Sequence, residues 1–324
     1  MSLSPNNILQ LIGNTPLLWM ESFSDKRANV FAKLEFANPG GSMKERSALY
    51  MIEQAEKKGL LRPGSMIIES TSGNLGIALA MIGAVKGYRV LCVVDPRTAE
   101  ENIKIMKAYG AKLDIVQEPH PVGGYQLARI ERVKELLLQY PDAFWTNQYE
   151  NPDNPDSYYY GLAKEIDRDL DGNIDCLFAP VSTSGLITGC ARYFKERNAA
   201  VQIIAVDAEG STIFGGVSKP RKMTGIGGNL VPVHLKMDHI DRVYHVSDQD
   251  SYLMCRQIVN QESMLVGPSS GASLHAVMSY MESCEVTDRP WNVVVIFPDN
   301  GERYLSGFLS GLTEPAAQER EVLI

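Results

Sequence analysis

Long apolar runs, basic clusters and paired cysteines are all scarce in this sequence, and each absence removes a class of function. No apolar run is long enough for a membrane span. The opening MSLSPNNILQLIGNTPLL lacks a basic start followed by a sustained apolar stretch, so the expectation is a mature beginning and a cytoplasmic protein. Five cysteines (Cys92, Cys176, Cys190, Cys255 and Cys284) are odd in number, scattered and without metal-type spacing, which reads as core thiols in a reducing compartment. The five histidines are equally dispersed and argue against a zinc site. With 31 basic against 39 acidic residues the net charge is -8, and no basic stripe is interleaved with aromatics, so neither nucleic acid nor a membrane is an expected partner. An anionic small molecule stays open, because a few arginines or backbone N–H groups make a pocket locally positive.

What is present describes a folded α/β chain. Hydrophobic residues at 44% and charged residues at 22% are ordinary for a globular protein, and 324 residues exceed what one core usually serves, so two lobes sharing a cleft are expected. Short β-rich runs (VFAKLEF from Val30, MIIES from Met66, RVLCVVD from Arg89, IDCLFAP from Ile174, QIIAVDA from Gln202, NVVVIFPD from Asn292) alternate with helical stretches. The helices are expected from about Lys44, Asn74, Ala99, Tyr125, Tyr158, Gly185, Asp248 and Ser270. The apolar strands are continuous rather than alternating, as in parallel sheets covered by helices on both faces. NQYENPDNPDSYYY, from Asn147, is dense in Asn, Asp and Pro and marks the candidate boundary between the lobes.

Several strand-to-helix turns carry chemistry. Asn38-Pro-Gly-Gly-Ser-Met-Lys44-Glu-Arg46 puts a lysine at a helix start, where positive potential lowers its pKa and favours imine formation or base catalysis; a solvated lysine is the plain alternative. Glu69-Ser70-Thr71-Ser72-Gly73-Asn74 ends a strand and opens an apolar helix, offering hydroxyls, N–H groups and an amide to a carboxylate, or simply capping that helix. Pro180-Val-Ser182-Thr183-Ser184-Gly185-Leu186 can surround a phosphate dianion, though it is not the Walker pattern and equally suits an ordinary β–α turn. Gly267-Pro-Ser269-Ser270-Gly271 is a further hydroxyl turn, or an N-cap.

Together with Gly13-Asn14-Thr15-Pro16-Leu17 and Gly225-Ile226-Gly227, these motifs stand in the order found in cysteine synthases and cystathionine β-synthases, and the chain resembles that family to about Gly311. The resemblance implies a fold-type II pyridoxal 5'-phosphate enzyme, α/β, with two doubly wound, mainly parallel sheet domains and the cofactor in the cleft. It implies an N-terminal segment 1–43 packed on the larger C-terminal domain. It also implies an N-terminal α/β domain 44–150 with a mobile substrate loop, a C-terminal cofactor-phosphate domain 151–324, and a homodimer. Lys44 matches the Schiff-base lysine, Asn74 the contact to the cofactor's phenolic oxygen, Ser182, Thr183, Ser184, Gly185 and Leu186 the phosphate loop, and Ser269 the partner of the pyridine nitrogen. A neutral serine there makes the cofactor a weaker electron sink than an Asp would, which suits β-elimination and replacement. Ser70, Thr71, Ser72, Gly73 and Gln148 match the binding site of the substrate carboxylate.

Departures from the common pattern narrow the reading. The substrate loop continues into Leu75 where Thr is commoner, the phosphate loop ends in Leu186 with only a backbone N–H to offer, and Tyr149 follows Gln148 where Phe is usual. With Gly123-Gly124-Tyr125 and Arg129, these features resemble the branch of the family that joins O-phospho-L-serine to L-glutamate on the way to 2,3-diaminopropionate for siderophores or antibiotics. Arg129, Tyr149 and Ser182 match that branch's phosphoserine-site positions. Arg129 and Arg132 share one helix face, so at least one can turn towards a dianionic leaving group, or both can pair with Glu131 and Glu135 in solvent. The alternatives are a sulfhydrylase acting on O-acetylserine or O-phosphoserine and, in a different class, a catalytically idle binding paralogue.

Overall fold

The protein is described by a computed structural model covering residues 5–313. Its strands form two sheets. In chain order the first are β1 (Leu17–Trp19) and β2 (Ala28–Leu34), then β3 (Met66–Ser70), β4 (Arg89–Val94), β5 (Lys112–Ile115) and β6 (Phe144–Trp145). They are followed by β7 (Cys176–Pro180), β8 (Gln202–Ala208), β9 (Arg242–Val246) and β10 (Trp291–Phe297). The smaller sheet runs β5-β4-β3-β6 and is parallel throughout. The larger runs β1-β2-β10-β7-β8-β9, parallel except for the β1–β2 pair at one edge. The chain is thus α/β with two mostly parallel sheets, as the apolar runs led one to expect.

Helices cover both faces of each sheet, which is why the strands are continuously apolar. On the smaller sheet, α1 (Lys44–Lys57), α2 (Asn74–Lys86) and α3 (Glu100–Ala108) share one core, while α4 (Gly124–Gln139) packs Val133 and Leu136 against Ile68 and Val93 on the other face. On the larger sheet, α8 (Asp248–Glu262) and α9 (Pro268–Glu282) pack on the side of Val293, Val295 and Phe297, and α7 (Gly185–Arg197) on the side of Val294 and Ile296. Successive residues of β10 therefore serve opposite cores, the period-2 alternation of a strand with two dry faces. Four cysteines are buried and Cys284 is half-buried, all with free thiols.

The helix expected from about Tyr158 differs in the structure. It begins earlier as α5 (Asp153–Ser157), passes through a π turn at Tyr158–Leu162 and continues as α6 (Ala163–Asp169). The segment packs closely on α7: a Cβ added to Gly189 would stand 2.2 Å from the Pro155 carbonyl and 2.9 Å from the Tyr158 side chain. An inserted residue in a helix widens one turn without ending it.

The Gly13-Asn14-Thr15 motif proves to be part of a buried ion-pair network. Arg46, 7% exposed, donates to both carboxylate oxygens of Glu35 (2.6 and 2.8 Å) and both of Glu165 (2.6 and 2.7 Å). Asn14 N–H donates to Glu165 at 2.9 Å, the Thr15 hydroxyl to Glu35 at 2.6 Å, and Lys33 Nζ to the Thr15 carbonyl at 2.7 Å. Lys33 also lies 3.1 Å from Glu165. The network joins Asn14 and Thr15 to the exit of β2, α1 and α6.

Candidate active site

Parallel strands send their loops to one end, and the crevice beyond their carboxyl termini is where such folds place ligands. Here the loops leaving β3, β4, β6 and β7 all contribute to one cavity of about 1020 Å³, together with Lys44, the segment 218–233 and the turn after β10. Of the residues expected in the site, Lys44, Ser70, Thr71, Ser72, Gly73, Asn74, Arg129, Gln148, Tyr149, Ser182 and Thr183 line it. Ser184, Gly185, Leu186 and Ser269 are buried outside that lining, and the Leu186 side chain belongs to the core beside α7.

Lys44 is the first residue of α1. The turn before it is held by Glu45, whose carboxylate accepts from Gly40 N–H at 3.0 Å and from the Ser42 hydroxyl at 2.9 Å, while Ser42 Oγ accepts from Lys44 N–H at 3.2 Å. Burial lowers the Lys44 ammonium from its ordinary 10.5 to about 8, against the opposing charge of Asp299. An amine so placed has an appreciable free-base fraction near neutrality.

The β3 exit is built on a buried carboxylate. Glu69, pushed up to about 7 by burial, accepts from Thr146 Oγ1, Trp145 Nε1 and the N–H groups of Ser70 and Gln148. Gln148 in turn donates to the Ser70 carbonyl at 3.1 Å, which ties the β3 and β6 loops together. The Thr71 hydroxyl accepts from Gly76 N–H at 3.1 Å and caps α2, whereas the buried Ser70 Oγ has no partner among the described residues.

The two arginines of α4 separate. Arg132 turns outward to Asp114 and Glu135, at 2.9 Å each. Arg129 turns inward, is 8% exposed, and donates to Asp95 at 2.8 Å, with no partner for its Nε among the described residues. Its charge acts on the Tyr149 hydroxyl, which burial raises and Arg129 pulls back.

Behind Ser182, Ser184 takes a left-handed backbone (φ 64°) as the N-cap of α7, and its Oγ is buried without a partner. The N–H groups that open a helix have no intrahelical acceptor. Orphaned buried polar atoms are uncommon, yet among the described residues Ser70 Oγ at the cavity lining, Ser184 Oγ at the N-cap of α7, Ser270 Oγ in the first turn of α9 and Asp299 Oδ1 after β10 all lack a partner. A helix N-terminus for a phosphate, a depressed lysine for an aldehyde and spare hydroxyls between them fit pyridoxal phosphate.

Sequence reasoning missed Asp95, Asp299, Arg303 and Tyr304. Asp95 follows β4 directly and Asp299 stands two residues past β10, both at the carboxyl end of a strand, where α/β sheets place ligand loops. That signal stood at the ends of the runs RVLCVVD and NVVVIFPD.

Residues 8–299 match the family model described as pyridoxal-phosphate dependent enzyme. Among solved structures, the chain is 35% identical to a cysteine synthase from Entamoeba histolytica, covering 98% of this chain and 94% of that one with a TM-score of 0.89. It is 34% identical to an O-acetylserine dependent cystathionine beta-synthase from Helicobacter pylori (94% and 98% covered, TM-score 0.87). It is 32% identical to an O-ureido-L-serine synthase (98% and 99%, TM-score 0.89). The cleft, its lysine and these likenesses together place the chain in the pyridoxal-phosphate dependent enzyme family, as a β-replacement enzyme of the cysteine synthase type.

Proposed function

We propose that the protein is N-(2-amino-2-carboxyethyl)-L-glutamate synthase, joining O-phospho-L-serine and L-glutamate with release of phosphate, as a cytoplasmic homodimer supplying 2,3-diaminopropionate for siderophore or antibiotic synthesis. The observation that carries this reading is Arg129: a buried guanidinium at the cavity wall whose Nε has no partner among the described residues. A buried unpaired donor is costly and fits a ligand anion beyond the Asp95 carboxylate. Tyr149 and Ser182 line the same cavity.

Bound pyridoxal phosphate supplies an electron sink that allows the Cα–H bond of an amino acid to break and its β-substituent to leave. The chain's residues do the rest in this reading. Lys44 anchors the cofactor covalently, then as a free amine takes the Cα proton and later returns it. Ser182 to Leu186 hold the cofactor phosphate, Ser269 its ring nitrogen and Asn74 its phenolic oxygen. Ser70 to Gly73 and Gln148 hold the substrate carboxylate, and Arg129, Tyr149 and Ser182 receive the leaving phosphate.

Mass spectrometry of the products formed from O-phosphoserine with glutamate and sulfide in competition tests the assignment. The glutamate adduct is expected; cysteine as the main product would make the protein a sulfhydrylase, the activity of its cysteine synthase relatives. Arg129→Ala is expected to lower kcat/KM for O-phosphoserine by about 1.5–3 kcal/mol, the worth of a hydrogen bond to a charged group. O-Acetylserine, whose leaving group carries no dianion, should lose much less. A folding defect caused by stranding Asp95 would instead lower both substrates together.

A further inference from the structure

Asn74 is gripped from two sides by residues that follow the last strand of the other sheet. Its amide nitrogen donates to Asp299 Oδ2 at 2.6 Å, and its amide oxygen accepts from the Arg303 guanidinium. A flipped amide would set oxygen against carboxylate and NH2 against guanidinium, so the two charges together permit one orientation. Tyr304 donates to the same carboxylate oxygen at 2.5 Å, and Arg303 also donates to the Gly40 carbonyl in the turn before Lys44.

Asp299 is 2% exposed and its Oδ1 has no partner among the described residues, an expensive state for a carboxylate. The backbone is fitted around it. Met43 N–H donates to the Pro298 carbonyl at 2.8 Å, and Ser42 and Asp299 form an antiparallel bridge. A Cβ on Gly267 would lie 2.0 Å from Asp299 Oδ1, so only glycine leaves room for the carboxylate.

We infer that Asp299 is a positioning residue that, with Arg303, locks the Asn74 amide so that its second N–H serves as a donor inside the cleft, for the phenolic oxygen of bound pyridoxal phosphate. The inference rests on the cofactor role of Asn74 and is independent of which substrates are used. The clamp also couples the lobes, since Asn74 opens a helix of the smaller sheet while Asp299 follows β10 of the larger.

The test uses holoenzyme carrying Asp299→Asn or Arg303→Met, with Asn74→Ala as reference, and reads the visible band of the bound cofactor across pH. The charged or titratable groups facing Asp299 are Lys44, Arg303, Tyr304 and Cys255, so the band is followed in all variants over one pH range. Both clamp variants are expected to move the band or its pH midpoint in the direction that Asn74→Ala does. They are also expected to lower kcat by about tenfold to a hundredfold, with KM for the amino acid donor changing by less than about threefold, as misorientation without lost binding predicts. A parental band and midpoint in both clamp variants, with Asn74→Ala shifted, would overturn the clamp even if activity fell, because a merely structural role leaves the chromophore alone. An unmoved band in Asn74→Ala would overturn the cofactor role beneath it. Should Asp299→Asn fail to fold, Arg303→Met decides, since Arg303 is only half-buried and grips the amide from its other end.

Discussion

Replacing Lys44 with alanine is expected to lower turnover by about a thousandfold or more, the size of a lost proton-transfer group, while the protein stays folded. On the proposed assignment two losses coincide at one nitrogen: the base for the Cα proton and the covalent anchor of the cofactor. The fold has little stake in this side chain. Lys44 sits in the first turn of α1 facing the cavity, and the turn that positions it is held by Glu45, Ser42 and Gly40 instead. Removing a cation that burial has already lowered to about 8 relieves desolvation rather than adding to it. Three measurements check the result: steady-state turnover, thermal unfolding of the cofactor-free protein, and borohydride treatment followed by intact mass. The parent should fix one cofactor per chain and the variant none. Retained turnover above a trace, or a fixed cofactor in the variant, would remove Lys44 from the centre of the chemistry.

Arg46→Met is expected to cost about 3–5 kcal/mol of stability, because it strands two buried carboxylates that now share one guanidinium. The pH dependence identifies the cause. Burial pushes the Glu165 carboxyl up, but the hydrogen bond and charge of Arg46 outweigh it and hold the group at about 2, against an ordinary 4.5. A carboxyl depressed in the folded state stabilises the protein above its unfolded pKa, and this contribution disappears as pH falls from about 4.5 towards 2. In Arg46→Met the same carboxyl keeps the Asn14 N–H and Lys33 but loses the hydrogen bonds and charge of Arg46, so its folded pKa rises and acid becomes relatively favourable. The gap between parent and variant should therefore narrow as pH falls through that window. Denaturant unfolding of holoenzyme in a fixed excess of cofactor, repeated across pH, measures both the gap and its trend. A gap that is small at neutral pH, or constant with acid, would mean that the network contributes little beyond its own desolvation.

The sequence shows the elements whose residues answer to a single physical demand. β3, β4, β7, β8 and β10 are visible because strands dry on both faces must be apolar at every position, and α2 because a helix buried nearly all round carries no polar stripe. β1, β5, β6 and β9 are not: β1, β5 and β9 are edge strands with exposed positions, and β6 is two residues long, Phe144–Trp145. The same contrast holds in the site. Turns read directly as candidate ligand loops, since hydroxyls and glycines at a strand-to-helix junction suit a bound anion as well as a helix cap. What joins these turns depends on distant residues meeting in space. Arg129 and Arg132 have the same spacing to the next turn of α4, and only the positions of Asp95 and Asp114 decide which faces the cavity. Asp299 meets Asn74 across 225 positions, a pairing that no local pattern announces.

Because β10 lies between β2 and β7, the larger sheet cannot close until nearly the whole chain has left the ribosome. Asn29 and Asn292, partners in that sheet, stand 263 positions apart. At ordinary rates of synthesis β2 waits roughly ten to fifty seconds for its neighbour. The smaller sheet has no such delay, since its four strands come consecutively from Met66 to Trp145 and can assemble on the emerging chain. A stalled or truncated chain that stops short of Trp291 exposes two unpaired strand edges at once, on β2 and on β7, the geometry that recruits other chains into intermolecular sheets.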